Sequence, residues 1–208
     1  MNNIQHIDTI SHLHTLLSEE KPRHPLITII DMDQVNNSYF NAMRMSAGFY
    51  SIFLKNKNCC RLKYGRESYD FEEGTMIFIA PEQVIEVALD ESAAFDTQKS
   101  WGLFFHPDLL KGTSLAANIR SYSFFSYQNN EALHLSEKER AMIIDITDKI
   151  DYELSQNIDN HTQTLLVSNI ELLLNYCIRF YDRQFITRKV ENKGILVRFE
   201  EFLINYFK

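Results

Sequence analysis

Leu135-Ser136-Glu137-Lys138-Glu139-Arg140-Ala141-Met142-Ile143 divides the chain into two unlike halves. Ser136 with Glu139 three residues on is a capping box, in which hydroxyl and carboxylate satisfy each other's exposed backbone donors at a helix start. Beyond it, Ile143, Ile146, Ile150 and Leu154 recur at helical spacing. They predict a helix to about residue 156, followed by a polar turn over 157–160. A second helix is predicted over 162–181, where Leu165, Leu166, Ile170, Leu173, Leu174, Cys177 and Ile178 cover a wide apolar face. An antiparallel helix pair joined by a short turn follows.

Before residue 135 the period is different. An opening helix is expected over 4–19, with Ile7, Ile10, Leu13, Leu16 and Leu17 on one side and Pro22 and Pro25 stopping it. Short apolar runs bounded by turn residues then predict strands at 26–31, 48–54, 60–64, 68–71, 75–79, 83–88 and 99–105. The sharpest local signal is Leu62-Lys63-Tyr64-Gly65-Arg66-Glu67-Ser68-Tyr69, where Gly65 can take the positive φ of a tight hairpin. Pro81 cannot donate to a ladder and so belongs at a strand end. Pro107, after His106, suits the first turn of a short helix through Leu110. The class is α+β, with a strand half that forms a sandwich or small barrel.

The 208 residues carry 21 Lys and Arg against 28 Asp and Glu, a net charge of −7. That sign is wrong for a free-standing nucleic-acid binder, whose affinity rests on neutralising phosphates. No apolar signal segment opens the chain, and no apolar run reaches the roughly 20 residues of a membrane-spanning helix. Three cysteines, with Cys59 and Cys60 adjacent, make no disulfide framework and no zinc spacing, which fits a reducing cytoplasm. Charge changes sign along the helical half. Residues 136–175 hold three basic and eight acidic side chains, and residues 179–193 five basic and two acidic. The basic stretch over 179–193, followed by Gly194, reads as a solvated linker. Ile195, Phe199, Phe202, Leu203 and Tyr206 then begin an amphipathic helix that is expected to continue in a longer protein.

No nucleophile elbow, phosphate loop, dinucleotide fingerprint or zinc helix occurs. His12 and His14 sit about 200° apart on a helix and cannot chelate one ion. His24, His106, His134 and His161 read as surface or capping residues. Asp31 with Asp33, and Glu72 with Glu73, are carboxylate pairs that turns and strand edges explain. Aromatic residues, by contrast, crowd the strand half: Phe49, Tyr50, Phe53, Tyr64, Tyr69, Phe71, Phe78, Trp101, Phe104 and Phe105. A small barrel so lined either fills itself or holds one small ligand. Arg44, Tyr50, Leu62, Tyr64, Phe78 and Trp101 are the candidate ligand residues. Plain packing is the alternative for the aromatics, and a snorkelling surface role for Arg44.

Three segments carry a resemblance: Phe49-Tyr50-Ser51-Ile52-Phe53-Leu54, Gly74-Thr75-Met76-Ile77-Phe78-Ile79-Ala80-Pro81 and Trp101-Gly102-Leu103-Phe104-Phe105-His106-Pro107-Asp108-Leu109. With the 62–69 hairpin, Leu172-Leu173-Leu174-Asn175-Tyr176 and Phe180-Tyr181-Asp182-Arg183-Gln184-Phe185, their order resembles the effector region of AraC-type transcription regulators. The resemblance implies a cupin-like β-barrel (double-stranded β-helix) sensing a small molecule over 1–134 and a dimerising helix pair over 135–182. Residues 183–208 would be a linker and the start of a helix leading to a helix-turn-helix domain that is not in this chain. It further implies a non-enzymatic homodimer that answers an unidentified small effector and meets DNA only through that absent domain. Metal cupins place His residues around Glu67, Tyr69 and Phe71 and again after Pro81. This chain has none at either place, so no metal or other cofactor is expected. The dimer seam is expected at Leu166, Ile170, Leu173, Leu174 and Cys177, unless that face is spent within the chain. A small cupin-like enzyme and a protein-contact scaffold without effector are the other readings.

Overall fold

The computed structural model describes the backbone of residues 4–35, 43–55, 60–64, 67–69, 74–89, 100–125 and 132–206. Side chains are described over 4–35, 44–55, 74–86, 100–125 and 132–185. In chain order the elements are β1 (Gln5–Ile7), α1 (Ile10–Leu17), β2 (Ile27–Asp31), β3 (Met43–Ala47), β4 (Tyr50–Lys55), β5 (Cys60–Tyr64) and β6 (Glu67–Tyr69). There follow β7 (Thr75–Ile79), β8 (Ile85–Leu89), β9 (Trp101–Phe105), α2 (Ser114–Asn118), β10 (Leu133–His134), α3 (Glu137–Leu154) and α4 (Thr162–Tyr206). The class is mixed α+β.

One sheet has the order β1-β3-β8-β5-β6 and the other β10-β7-β4-β9-β2. Pairing is antiparallel throughout except between β1 and β3. β5 and β6 pair as the expected hairpin, with Tyr64 opposite Glu67 and Leu62 opposite Tyr69; the positive φ expected at Gly65 lies outside the described residues. The sheets pack face to face, Met45 and Ile85 of the first against Phe53, Ile77 and Ile79 of the second. Among the described residues no strand pairs from one sheet to the other. The described residues form two antiparallel-rich sheets and no closed barrel; the edges of the second sheet are covered by other groups, as edge strands require. His24 bridges back to Ile27 beside β2, and the Gln184 side chain of α4 covers β10.

Strand alternation sorts the second sheet into two faces. Ile52, Leu54, Met76, Phe78, Trp101, Leu103 and Phe105 look toward α3 and α4 and join their apolar stripes in one core. Ile30, Phe53, Ile77, Ile79 and Phe104 look the other way, into the space shared with the first sheet and α1. The helix pair thus lies outside the sandwich, on the back of the second sheet.

Three expectations are corrected. Residues 4–9 are not helical: Ile7 is buried and His6 exposed in an alternating strand, and α1 starts only after Thr9, whose hydroxyl accepts from His12 N–H. Met43–Ala47, unassigned from sequence, is β3, with Met45 and Ala47 packed inward. The linker expected after residue 182 is instead helix, since α4 runs unbroken through Gly194 to Tyr206. No proline follows Pro107. One interior glycine costs a helix only about 1 kcal/mol against alanine, which the surrounding Arg, Lys and Glu residues tolerate.

Candidate functional site

The space between the sheets is the part of the fold where a ligand would be enclosed, and its lining differs from the expected one. Tyr50, Phe78 and Trp101 all lie on the opposite face of the second sheet, under the helices. Tyr50 stacks on Phe105 with centroids 5.1 Å apart, and burial pushes its phenol above the ordinary range. Phe78 packs against Phe124 at 4.3 Å and Tyr181 at 6.1 Å. Trp101 is buried with an indole N–H that has no hydrogen-bond partner among the described residues, a deficit that costs about 1–3 kcal/mol. These three are therefore helix-facing core residues. A strand of uncertain phase cannot reveal this from sequence, because a one-residue shift moves every side chain to the other face.

Arg44 sits in β3 between Met45, which packs inward, and a position outside the described side chains, so alternation turns it away from the sheet interior. It pairs in register with Glu86. Leu62 and Tyr64 lie in β5 opposite Val87 and Ile85; their own side chains, like Cys59, Cys60, Glu72 and Glu73, fall outside the described residues.

Inside the sandwich, aromatic rings fill the middle. Phe104 meets Phe53 edge-on at 5.3 Å and Phe49 at 6.0 Å. Both Phe53 and Phe104 lean over Gly102, where an added Cβ would come within 2.7 Å of the Phe104 ring and 3.3 Å of Phe53. To one side of this plug lies a polar row. Lys55 is opposite Thr75 in the β4–β7 ladder, and Leu54 is opposite Trp101, so Ser100 comes beside Lys55. All three residues are buried, with exposures of 8% for Lys55, 0% for Thr75 and 3% for Ser100. The Ser100 N–H donates to Asp33 at 2.9 Å. Strand alternation turns all three toward the first sheet, on the face that carries Phe53 and Phe104. Sequence reading overlooked these residues because Lys55 stands beside the polar stretch Asn56-Lys57-Asn58 and looks like part of a loop.

The other polar groups are structural. Asp31 accepts from the Asp33 N–H and the Gln34 amide within a turn. His106 caps the turn after Pro107, accepting from Asp108 N–H. His14 is buried and tied through Nδ1 to the Glu20 carbonyl and through Nε2 to the Thr28 hydroxyl. Because a carbonyl only accepts, Nδ1 carries the proton. His14 and Thr28 border a surface pocket of about 220 Å³ beside β2, with Arg23 and Asp151 at its rim. Among the described residues no three His, Cys, Asp or Glu side chains are grouped to hold a metal ion, and no helix is long and apolar enough to cross a membrane.

The residues expected at the dimer seam lie inside the chain. Leu166, Ile170, Leu173, Leu174 and Cys177 are all fully buried within the single chain, in the core shared by α3, α4 and the second sheet. Burial pushes the Cys177 thiol far above its ordinary range. The apolar residues that α4 does leave exposed include Leu165, at 46%, and Leu172, at 41%. Two helical turns separate them, so they share a face.

The chain matches no family model and none of the curated proteins. Among solved structures it is similar to the crystal structure of the AraC-like transcriptional activator CuxR, with a TM-score of 0.41 and 12% identity. The match covers 63% of this chain and 42% of that one, so the chain spans less than half the length of the structure it matches.

Proposed function

We propose that the chain is the sensory and dimerising part of an AraC-type transcription regulator. In this reading a small anionic effector is held between the sheets at Lys55, and DNA is met through a helix-turn-helix domain outside this chain. The observation that carries the reading is the buried row of Thr75, Lys55 and Ser100 on the inner face of the sandwich. The order of the resembling segments supports the family assignment: 49–54 runs into β4, 74–81 spans β7, 101–109 spans β9, and a helix pair follows. A second copy would dock on the outward face of α4 at Leu165 and Leu172.

The test is thermal unfolding of the chain with a panel of small carboxylates and phosphates, on wild type and Lys55→Met. A compound that raises the midpoint of wild type but not of Lys55→Met supports the reading. Equal shifts in both, or no shift with any anion, contradict it. The plug of Phe49, Phe53 and Phe104 over Gly102 favours the second reading, a scaffold whose sandwich interior is filled by its own side chains and binds no effector.

A further inference from the structure

β2 is the edge strand of the second sheet, and its outer edge is closed at both ends but not in the middle. In the ladder with β9, the Leu26 carbonyl accepts from His106 N–H at 2.7 Å and Met32 N–H donates to the Ser100 carbonyl at 3.0 Å. Hydrogen-bonded pairs alternate along an antiparallel ladder, so Thr28 and Ile30 carry the bonds in between, while Ile27, Ile29 and Asp31 turn their N–H and C=O groups outward. Ile27 is bridged by His24, and the Asp31 carbonyl accepts from Gln34 N–H at 3.3 Å. Ile29, between them, has no main-chain partner on that side among the described residues.

The pocket of about 220 Å³ lies along this stretch of edge. Ile27, Ile29 and Leu154 give it apolar walls. Arg23, from the loop after α1, and Asp151 of α3 meet across its rim at 3.5 Å, and both are exposed. The volume falls below the roughly 300–1,000 Å³ of sites for drug-sized ligands, so the occupant that fits is small. It has to offer one donor and one acceptor to a single strand residue, a charge of each sign to the rim, and an apolar group to the walls.

We propose that this pocket binds a free α-amino acid with an aliphatic side chain. The ammonium and carboxylate of such a molecule are the charged counterparts of a strand residue's N–H and C=O. One amino acid therefore adds to β2 opposite Ile29 as a strand of a single residue, its ammonium donating to the Ile29 carbonyl and its carboxylate accepting from Ile29 N–H. Bonds assisted by charge in this way are stronger than the neutral bonds of a ladder. Arg23 and Asp151 each supply the opposite charge to one end, and the side chain lies on Ile27 and Leu154. Main-chain pairing gives the affinity and the walls give the selectivity, as where a peptide adds to a sheet edge. The site is outside the sandwich and does not depend on the effector reading at Lys55.

The experiment is isothermal titration of the full chain with L-leucine, L-valine and L-alanine, and with N-acetyl-L-leucine and L-leucinamide, each of which lacks one of the two charges. Wild type, Asp151→Asn, Ile29→Pro and Lys55→Met are compared. Ile29→Pro removes the outward N–H at an edge position, where proline is tolerated best, and Asp151→Asn alters only an exposed rim residue should the proline variant fail to fold. The expected result is that L-leucine binds wild type and Lys55→Met alike, and that either blocked form, or either pocket variant, weakens binding about tenfold or more. Absence of binding by all three amino acids at millimolar concentration overturns the proposal. So does equal binding of the blocked forms, or of L-leucine to Asp151→Asn. Loss of L-leucine binding in Lys55→Met would place the ligand between the sheets instead and also overturn it, whereas the other failures leave the reading at Lys55 intact.

Discussion

Arg183 of α4 and Glu139 in the first turn of α3 meet at 2.8 Å. The other oxygen of that carboxylate accepts from both the backbone N–H and the hydroxyl of Ser136. One side chain thus closes the capping box and ties the two helices together. Glu139→Ala should lose both and destabilise the fold by about 1–2 kcal/mol, whereas Arg183→Ala keeps the cap and should cost less. Urea denaturation of both variants checks the order. An Arg183 variant as costly as Glu139→Ala would show that the tie between helices, and not the cap, dominates.

Gly102 is required by the rings above it. Gly102→Ala should force Phe104 and Phe53 from their positions and destabilise by about 1–3 kcal/mol, the usual range for overpacking. A neutral or stabilising effect in chemical denaturation would mean that the space between the sheets is looser than the ring contacts imply.

Asp159 caps α4, accepting from His161 N–H at 2.7 Å and Thr162 N–H at 3.0 Å. The first of these bonds, with the second and the Thr162 hydroxyl, holds its carboxyl below the ordinary carboxylate range. A group with a depressed folded-state pKa contributes stability above its unfolded pKa, and this is lost as pH falls through the folded value. Stability should therefore decline from about pH 4 downward, where free aspartate begins to protonate. Asp159→Asn keeps a capping oxygen and removes the titration, so its acid limb should be flatter than that of wild type in unfolding titrations. Identical limbs would show that other carboxylates set the acid response.

Much of the fold was legible because local rules and tertiary packing agree there. The Ser136 capping box, the pairing of β5 with β6 and the stripe of Ile143, Ile146 and Ile150 each appear where their sequence places them. The errors come from information that no short window holds. Ile4, Ile7 and Ile10 satisfy a helical period, yet Gln5–Ile7 is captured as a strand by pairing with β3, and α1 begins only where Thr9 can cap it. The helix that runs on past residue 182 was hidden by its charge, which reads as a solvated linker. The site was the least legible part. Tyr50, Phe78 and Trp101 are aromatic and in strands, as expected, but the phase that turns them under the helices is set by packing between distant elements. The same phase puts Lys55 and Thr75 inside.

The Leu173 and Leu172 side chains separate stability from assembly. Leu173 is fully buried and Leu172 is 41% exposed. Leu173→Ala should cost about 2–5 kcal/mol by leaving a cavity in the core, and Leu172→Glu should leave the unfolding free energy nearly unchanged. Denaturation of both variants under dilute conditions distinguishes the roles.

The central claim, a regulator region that works as a pair, is tested most directly by sedimentation velocity of the chain at tens of micromolar, for wild type and Leu172→Glu. The account predicts a dimer for wild type and a folded monomer for the variant. A wild-type chain that stays monomeric at every concentration, or a Leu172→Glu variant that dimerises as tightly as wild type, would contradict it.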